Sequence, residues 1–381
     1  MDTLIVGCGL TGAVIARHLA EQGKRVEVWE RRDHIGGNMY DYVDNNGIRV
    51  HRYGPHVFHT YGENLKDYML RYGQWVPFFI TCRVEMLGKV TPSPFNYQTI
   101  DDYYSPQKAA ALKAALKQAY PGQDKATIVE LLESSDPLIK EYADFLFAKD
   151  YSLYTAKQWG ISPAEIDPSV LRRVPVLFSY KDGYFDDTWQ MVPVDGYTAW
   201  FFKLLDYPNI TVRLNVEALD HIKIAGDKIL LDGVPFAGQV IYTGAVDELL
   251  GKKYGALPYR SLRFEWRTGE GEHCLAAPLV AYPEAEGYTR ITEYSHFPQK
   301  QRQKQTSLAY EYPLPYQEGS KAEPYYPILT EESKERHERY LHELRRIRNL
   351  TCCGRLADFK YYNMDQALAR ALACSEEELE G

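Results

Sequence analysis

The stretch "LIVGCGLTGAVIARHLAEQGKRVEVWERR", residues 4–32, constrains this chain more than any other. An apolar strand, Leu4-Ile5-Val6, runs directly into Gly7, Gly9 and Gly12 in the spacing GxGxxG. Gly7 permits a tight turn, Gly9 lets backbone approach a pyrophosphate, and Gly12 lets the following helix pack on the strand. Leu10 and Thr11 open that helix, so backbone N–H groups and the positive helix end face the phosphates. Its apolar stripe Val14, Ile15, Leu19 stops at Gly23, a residue suited to a helix C-terminus. A second strand, Arg25 to Trp29, ends in Glu30, eighteen residues after Gly12, where a carboxylate can accept both ribose hydroxyls of an adenosine. Strand, glycine turn, helix, second strand and acid in this order predict a dinucleotide-binding α/β domain.

After Glu30 comes "RRDHIGGNMYD", a second glycine-rich turn at Gly36, Gly37 and Asn38. NAD-binding folds usually run straight into another helix here. In two-dinucleotide-binding-motif flavoproteins, which this stretch resembles, such a turn runs under the pyrophosphate and ribityl chain, so FAD is the expected cofactor. The far end agrees: "TCCGRLADFKYYNMDQALARALA", residues 351–373, reads as a Gly-Arg turn and a helix with Ala367, Leu368, Ala371 and Leu372 on its apolar face. Asn363 or Asp365 is placed to cap it, and its N-terminus can aim N–H groups at an electron-rich flavin edge. A C-terminal segment returning to an N-terminal cofactor site makes the domain discontinuous.

The 381 residues allow two or three domains. Residues 101 to 150 read as helical, with Ala109, Leu112, Ala115 and Leu116 on one stripe and Ile128, Leu131 and Leu132 on another. "NITVRLNVEAL", "DKILLDG" and "QVIYTGAVDEL" read as strands, and Val240-Ile241-Tyr242 running into Thr243-Gly244 resembles the later strand that approaches FAD in flavoproteins. "RSLRFEWRT", "GYTRITEYSHF" and "QTSLAYEYPLP" alternate like strands of an antiparallel sheet. The charged helix from Glu331 to Arg348 reads as a solvated face. The expected fold class is α/β: a discontinuous Rossmann-like FAD-binding domain (1–80, 190–250 and 330–381), an inserted helical bundle (98–165, with a mobile lid to about 180), and an antiparallel β-sheet substrate domain (81–97, 166–189 and 251–329).

The net charge of −8 makes the average surface repel nucleic acid and anionic membranes, so a phosphate-bearing substrate would need local arginines. Six cysteines without a CxxC pair point to a reduced, cytoplasmic protein, and no secretory signal or membrane-spanning run is expected. The 31 tyrosines combine flat apolar faces with hydroxyls, which suits both domain seams and the wall of a polar-ligand pocket. In "RYGPHVFHT", residues 52–60, the Gly-Pro pair argues against a helix, and spacing alone leaves His56 and His59 open as metal ligands, an acid/base pair or a cofactor wall.

Taken together, "GCGLTGAVIA", "GGNMYD", "YGPHVFHT", "YTAKQWG", "RRVPVLFSYKDGYF", "GYTRITEY", "EPYYPI" and "GRLADFKYYNMDQAL" closely resemble the bacterial UDP-galactopyranose mutases, nearly end to end. The resemblance implies an isomerase that interconverts UDP-galactopyranose and UDP-galactofuranose without net redox. In that family reduced FAD attacks the anomeric carbon through N5, expels UDP and forms a flavin–sugar adduct that opens and recloses. The cofactor is then the nucleophile, and the protein supplies orientation and electrostatics.

By the same resemblance, Arg173 and Arg290 bind the diphosphate and, with His56, form the catalytic set. Tyr154 stacks on uracil beside Thr155, and Trp159 belongs to a loop closing over substrate. Tyr184, Tyr325, Tyr361 and Asn363 contact phosphate or sugar, with Glu311 an acid near the sugar. Tyr325 has Tyr326 as its immediate neighbour. Cofactor contacts are Gly7, Gly9, Leu10, Thr11, Gly12, Glu30, Arg31, Gly36, Gly37, Asn38, His56, Val216, Arg355, Asn363, Met364 and Asp365. His56 and His59 become residues of the cofactor wall, and no metal centre is expected, since no third ligand has suitable spacing. An unidentified flavin reductant and a homodimer are also implied. Cys82, Ala281, Asn363 and Leu153 depart from the usual pattern, which leaves UDP-N-acetylgalactosamine or UDP-arabinopyranose open as sugars. The rivals are an FAD-dependent oxidase or desaturase and a non-catalytic flavin protein; binding of UDP would separate them from a mutase.

Overall fold

Strands buried on both faces read as continuous apolar runs, and Leu4, Ile5, Val28, Val240 and Ile241 are each at most 1% exposed. They belong to a five-stranded parallel sheet in the computed structural model, which describes residues 1–160, 174–301, 303–317 and 322–380. Its order is Ile210–Leu214, Val26–Glu30, Thr3–Val6, Gln239–Tyr242, Leu350–Cys352. The register sets Trp29 and Tyr242 on either side of Val6, so three strand ends open together beside Gly7. Helices Leu10–Glu21 and Met364–Glu380 pack against each other over this sheet, burying Val14, Ile15, Leu368 and Ala371.

A second, seven-stranded sheet runs Tyr326–Pro327, Tyr259–Glu270, Gln305–Pro315, Arg290–Glu293, Leu279–Ala281, Cys82–Met86, Lys89–Ser93. It is antiparallel throughout except where Leu279–Ala281 lies parallel to Cys82–Met86, because a segment from the first quarter of the chain is laid beside one from the last third. Against the Cys82–Met86 end of this sheet packs a helical layer built on Pro106–Ala119, Ile128–Leu132 and Pro137–Leu146, around Leu112, Leu116, Ile139, Tyr142 and Leu146. Ser105, Thr127 and Asp136 cap these helices through side-chain oxygens. A π-helical turn, Phe147–Tyr151, joins the last of them to the helix Ser152–Trp159.

Three expectations change. "NVEAL" and "AVDEL" do not continue their strands but turn into short helices, Ala218–His221 and Val246–Leu249, whose apolar residues seat on the sheet end. The helix Glu331–Leu344 is not simply a solvated face: His337, Tyr340 and Leu344 are buried, and Nε2 of His337 lies 2.8 Å from the Ala357 carbonyl oxygen. At the last helix, the Asn363 N–H donates to Oε1 of Gln366, while Asp365 lies inside the first turn with Oδ1 accepting the Gln366 N–H.

Candidate active site

The three open strand ends lead into a cleft of about 1300 Å³. Gly7, Gly9, Leu10, Thr11, Gly12, Glu30, Arg31, Gly36, Gly37, Asn38, His56, Val216, Arg355, Asn363 and Met364 line it; Asp365 is not among its lining residues. Backbone shape makes the cleft. A Cβ on Gly12 would stand 2.0 Å from the Gly7 carbonyl oxygen, and one on Gly37 would stand 2.9 Å from the Gly9 Cα, so the two glycine turns touch and any side chain would close the groove. Gly9 caps the helix Leu10–Glu21 without a side-chain bond, leaving its first N–H groups directed at the cleft.

Glu30 is buried, and both its oxygens are held by backbone: the Cys8 N–H donates to Oε2 at 2.8 Å and the Arg32 N–H to Oε1 at 3.0 Å. Each oxygen keeps a lone pair for a hydroxyl. Burial, with Glu30 beside it, pushes the Cys8 thiol up to about 12, so it is inert. The cleft also holds residues that sequence reasoning missed. Glu323 bridges Arg31 at 2.7 Å and Arg32 at 2.9 Å, while the Arg32 guanidinium lies 4.5 Å from the Tyr53 ring centre. Glu323 is 292 residues from Arg31, and no local pattern announces it. Arg32 Nη1 and Arg355 Nε are buried donors without a partner among the described residues. Two orphan cationic donors beside a side-chain-free groove fit an anionic dinucleotide such as FAD.

The GPHVFHT segment crosses from this cleft to the second sheet. His56 lines the cleft, with Nδ1 2.8 Å from the Gly54 carbonyl oxygen, so Nδ1 carries the hydrogen and Nε2 the lone pair. Burial, aided by His51, pushes its pKa down to about 3, and the ring is neutral. The His56 N–H donates to Nδ1 of His51 at 2.9 Å; burial, with Arg49, likewise drives His51 to about 3. Two residues back, Gly54 has φ +96°, and a Cβ there would lie 3.3 Å from Phe264 and 3.9 Å from Glu311. His59 turns the other way: its ring stacks on Phe185 at 3.7 Å and Nδ1 sits 2.9 Å from Asp187. His56 precedes the strand Phe58–Thr60 that carries His59, and only His56 lines the cleft, so the expected wall role fits His56 alone.

On the second sheet Arg290 and Glu311 are directly opposed cross-strand neighbours. Arg290 Nε and Nη2 both donate to Oε2 of Glu311 at 2.8 Å. Glu311 is 1% exposed and its Oε1 has no partner among the described residues, so one acceptor remains to be satisfied. Tyr154 belongs to the same electrostatic group: burial raises its pKa, with Arg290, Glu311, Tyr184 and Tyr326 as its charged and phenolic neighbours. Tyr361 stacks on Tyr326 at 5.4 Å, and the Arg355 guanidinium lies over both rings. Tyr325 points elsewhere, toward Tyr53 and Phe264, and its carbonyl oxygen accepts from Arg355. Strand alternation at Tyr326–Pro327 thus puts Tyr326, rather than Tyr325, beside Tyr361. Tyr184 is 39% exposed at the rim.

Thr155 is buried in the helix Ser152–Trp159, whose end is held by two cations. Lys157 donates to the carbonyls of Tyr282, Ala285 and Tyr288, and burial lowers its pKa to about 8. Arg260 donates to the Gln158 carbonyl at 3.0 Å and reaches the Lys157 carbonyl at 3.4 Å, completing the helix C-terminus. Trp159 ends this helix, and its side chain, like the whole of Arg173, lies outside the described residues.

A family profile described as UDP-galactopyranose mutase matches residues 149–361, and one described as an NAD(P)-binding Rossmann-like domain matches 5–72. A dTDP-fucopyranose mutase of Escherichia coli is 33% identical over 98% of this chain and 97% of its own. A probable UDP-galactopyranose mutase of Klebsiella pneumoniae is 34% identical over 99% and 94%. Among solved structures, a reduced UDP-galactopyranose mutase superposes with a TM-score of 0.73 at 17% identity, covering 100% of this chain and 94% of its own.

Proposed function

Because the chain belongs to the UDP-galactopyranose mutase family, we propose that it interconverts UDP-galactopyranose and UDP-galactofuranose, with FAD as cofactor and no net redox change. The observation that carries this reading is the Arg290–Glu311 pair, buried within a tyrosine cluster and joined to the cofactor cleft by the Gly54-to-His56 crossing. Bound and reduced, FAD supplies the nucleophile through its N5 atom.

The chain's own groups do the rest. Arg290, with Arg173 as its second cation, stabilises the charge that builds on the departing diphosphate, the kind of electrostatic contribution worth ~3–4 kcal/mol. Glu311 fixes the Arg290 fork through Oε2 and leaves Oε1 to accept a sugar hydroxyl. Tyr154 offers its ring to the uracil, and Trp159 with its loop excludes water. His56, neutral and with its lone pair on Nε2, accepts a hydrogen bond at the cofactor face without adding positive charge. In this reading the parallel-sheet segments hold FAD, and the platform sheet with the helical insertion holds the nucleotide sugar. The enzyme works in the cytoplasm as a homodimer supplied with electrons by a separate reductant.

The test is anaerobic incubation of the yellow protein with UDP-galactofuranose, with and without dithionite, followed by separation of the nucleotide sugars. Conversion to UDP-galactopyranose only under reduction is expected. No conversion despite bound, reduced FAD would sink the reading for this sugar. Identity to a dTDP-fucopyranose mutase, 33%, is within a point of the 34% to a galactose enzyme, so dTDP-fucofuranose is the second substrate to try, ahead of the N-acetylgalactosamine and arabinose nucleotides.

A further inference from the structure

We infer that His273, Glu293 and His296 form a binding site for a divalent transition-metal ion of the zinc class. They meet at one end of the platform sheet, where the segment after Tyr259–Glu270 folds against the turn that follows Arg290–Glu293. One ligand atom from each lies within 4.8 Å of the others.

Glu293 is the reason an ion belongs there. Its side chain is fully buried, and among the described residues no lysine or arginine pairs with it. Oε1 accepts the Cys274 N–H at 2.8 Å, and Oε2 accepts the Leu275 N–H at 2.6 Å. A buried carboxylate held by backbone N–H groups and one imidazole has no permanent cation beside it among the described residues.

The imidazoles stand within reach of one ion. Nε2 of His296 stands 3.2 Å from Oε2 of Glu293 and 3.1 Å from the Leu275 carbonyl oxygen, to which it donates, so an ion would replace that hydrogen bond. Two ligands of a tetrahedral zinc with bonds of ~2.0–2.1 Å are about 3.3 Å apart, close to the spacing of this pair. The His273 ring stacks on His296 at 4.0 Å with the planes 16° apart, so the exposed His273 turns out of the stack to bring both ring nitrogens to one ion; its Nδ1 faces the Ser295 hydroxyl oxygen at 3.0 Å. That bond places the ring hydrogen on Nδ1 and leaves a lone pair on Nε2, as in most metal-bound histidines. Ser295 in turn accepts from Thr306 at 2.7 Å and donates to Oε1 of Glu293 at 3.3 Å, a second layer of support. Two imidazoles and a carboxylate suit zinc, and the exposure of His273 leaves a route in and a position for water. Binding at Nε2 of His296 places the ring's single hydrogen on Nδ1, and no electron moves.

The experiment uses FAD-loaded protein freed of metal by chelator dialysis, titrated with zinc sulfate alone by calorimetry. One ion per chain at micromolar concentration and a higher unfolding temperature are expected. His273→Ala, at an exposed position, should weaken binding about tenfold or more with an unchanged flavin spectrum, while Cys274→Ser should bind as the parent does. Absence of saturable uptake at micromolar zinc, or equal affinity in His273→Ala, would overturn the assignment.

Discussion

The cofactor cleft and the Arg290–Glu311 platform lie a few residues apart along the GPHVFHT crossing, yet they are made of different materials. The cleft is shaped by what is missing: glycines without Cβ atoms, open strand ends and a helix start with free N–H groups. The platform is shaped by what is present, a half-buried guanidinium on a buried carboxylate, beside stacked phenol rings. A site of backbone tolerates almost no added atom, whereas a site of side chains fails when an atom is taken away. The two should therefore break in opposite directions.

The largest effect is expected for Gly37→Ala, where a Cβ 2.9 Å from the Gly9 Cα on a residue with φ +54° must push the two turns apart. Flavin should be lost at least ~100-fold more readily, about 3 kcal/mol or more. Flavin absorbance per polypeptide after gel filtration checks this; retained colour would erase the contrast. Arg290→Ala should do the reverse, keeping the flavin while costing about 3–5 kcal/mol of stability, because Glu311 is left buried and unpaired. Adding Glu311→Gln should restore part of the unfolding temperature but none of the turnover.

A third variant probes the crossing itself. His51 has its pKa pressed down to about 3, so between about pH 3 and 6.5 the unfolded chain holds a proton that the folded chain refuses. Stability from this group is present above that window and is lost as pH falls through it. His51→Asn, whose Oδ1 can still accept the His56 N–H, should reduce the slope of stability against pH by about 1.4 kcal/mol per pH unit, measured by urea titrations from pH 4 to 6.5. An unchanged slope would show that this imidazole is not held neutral. The smallest effect belongs to Tyr326→Leu, which removes a face from the Arg355 guanidinium at 5.2 Å: about 1 kcal/mol, read as a several-fold rise in KM with flavin content constant.

The same contrast explains what could be read before the fold was known. Gly7, Gly9, Gly12 and Glu30 lie within one strand–helix–strand unit, so spacing carries their geometry, and they do line one cleft. Arg290 and Glu311 are twenty-one residues apart and meet only through the register of an antiparallel pair. No spacing rule yields that register, and a family resemblance alone brought them forward. Tyr325 and Tyr326 differ by one residue, and their sides are set by the strand pairing with Tyr259 and Arg260. Glu323 and the cluster at His273, Glu293 and His296 had no local signal, since each is completed by residues brought together across turns and sheet ends.

The cleft's lining runs from Val6 to Ala367 along the chain. On a ribosome, the glycine turns and Glu30 emerge long before Arg355, Asn363 and Met364. Until those residues follow, a nascent chain exposes one half of the groove without its other wall. The cleft is completed only when the helix Met364–Glu380 lies down on Leu10–Glu21, so its two halves are separated in time as well as in sequence.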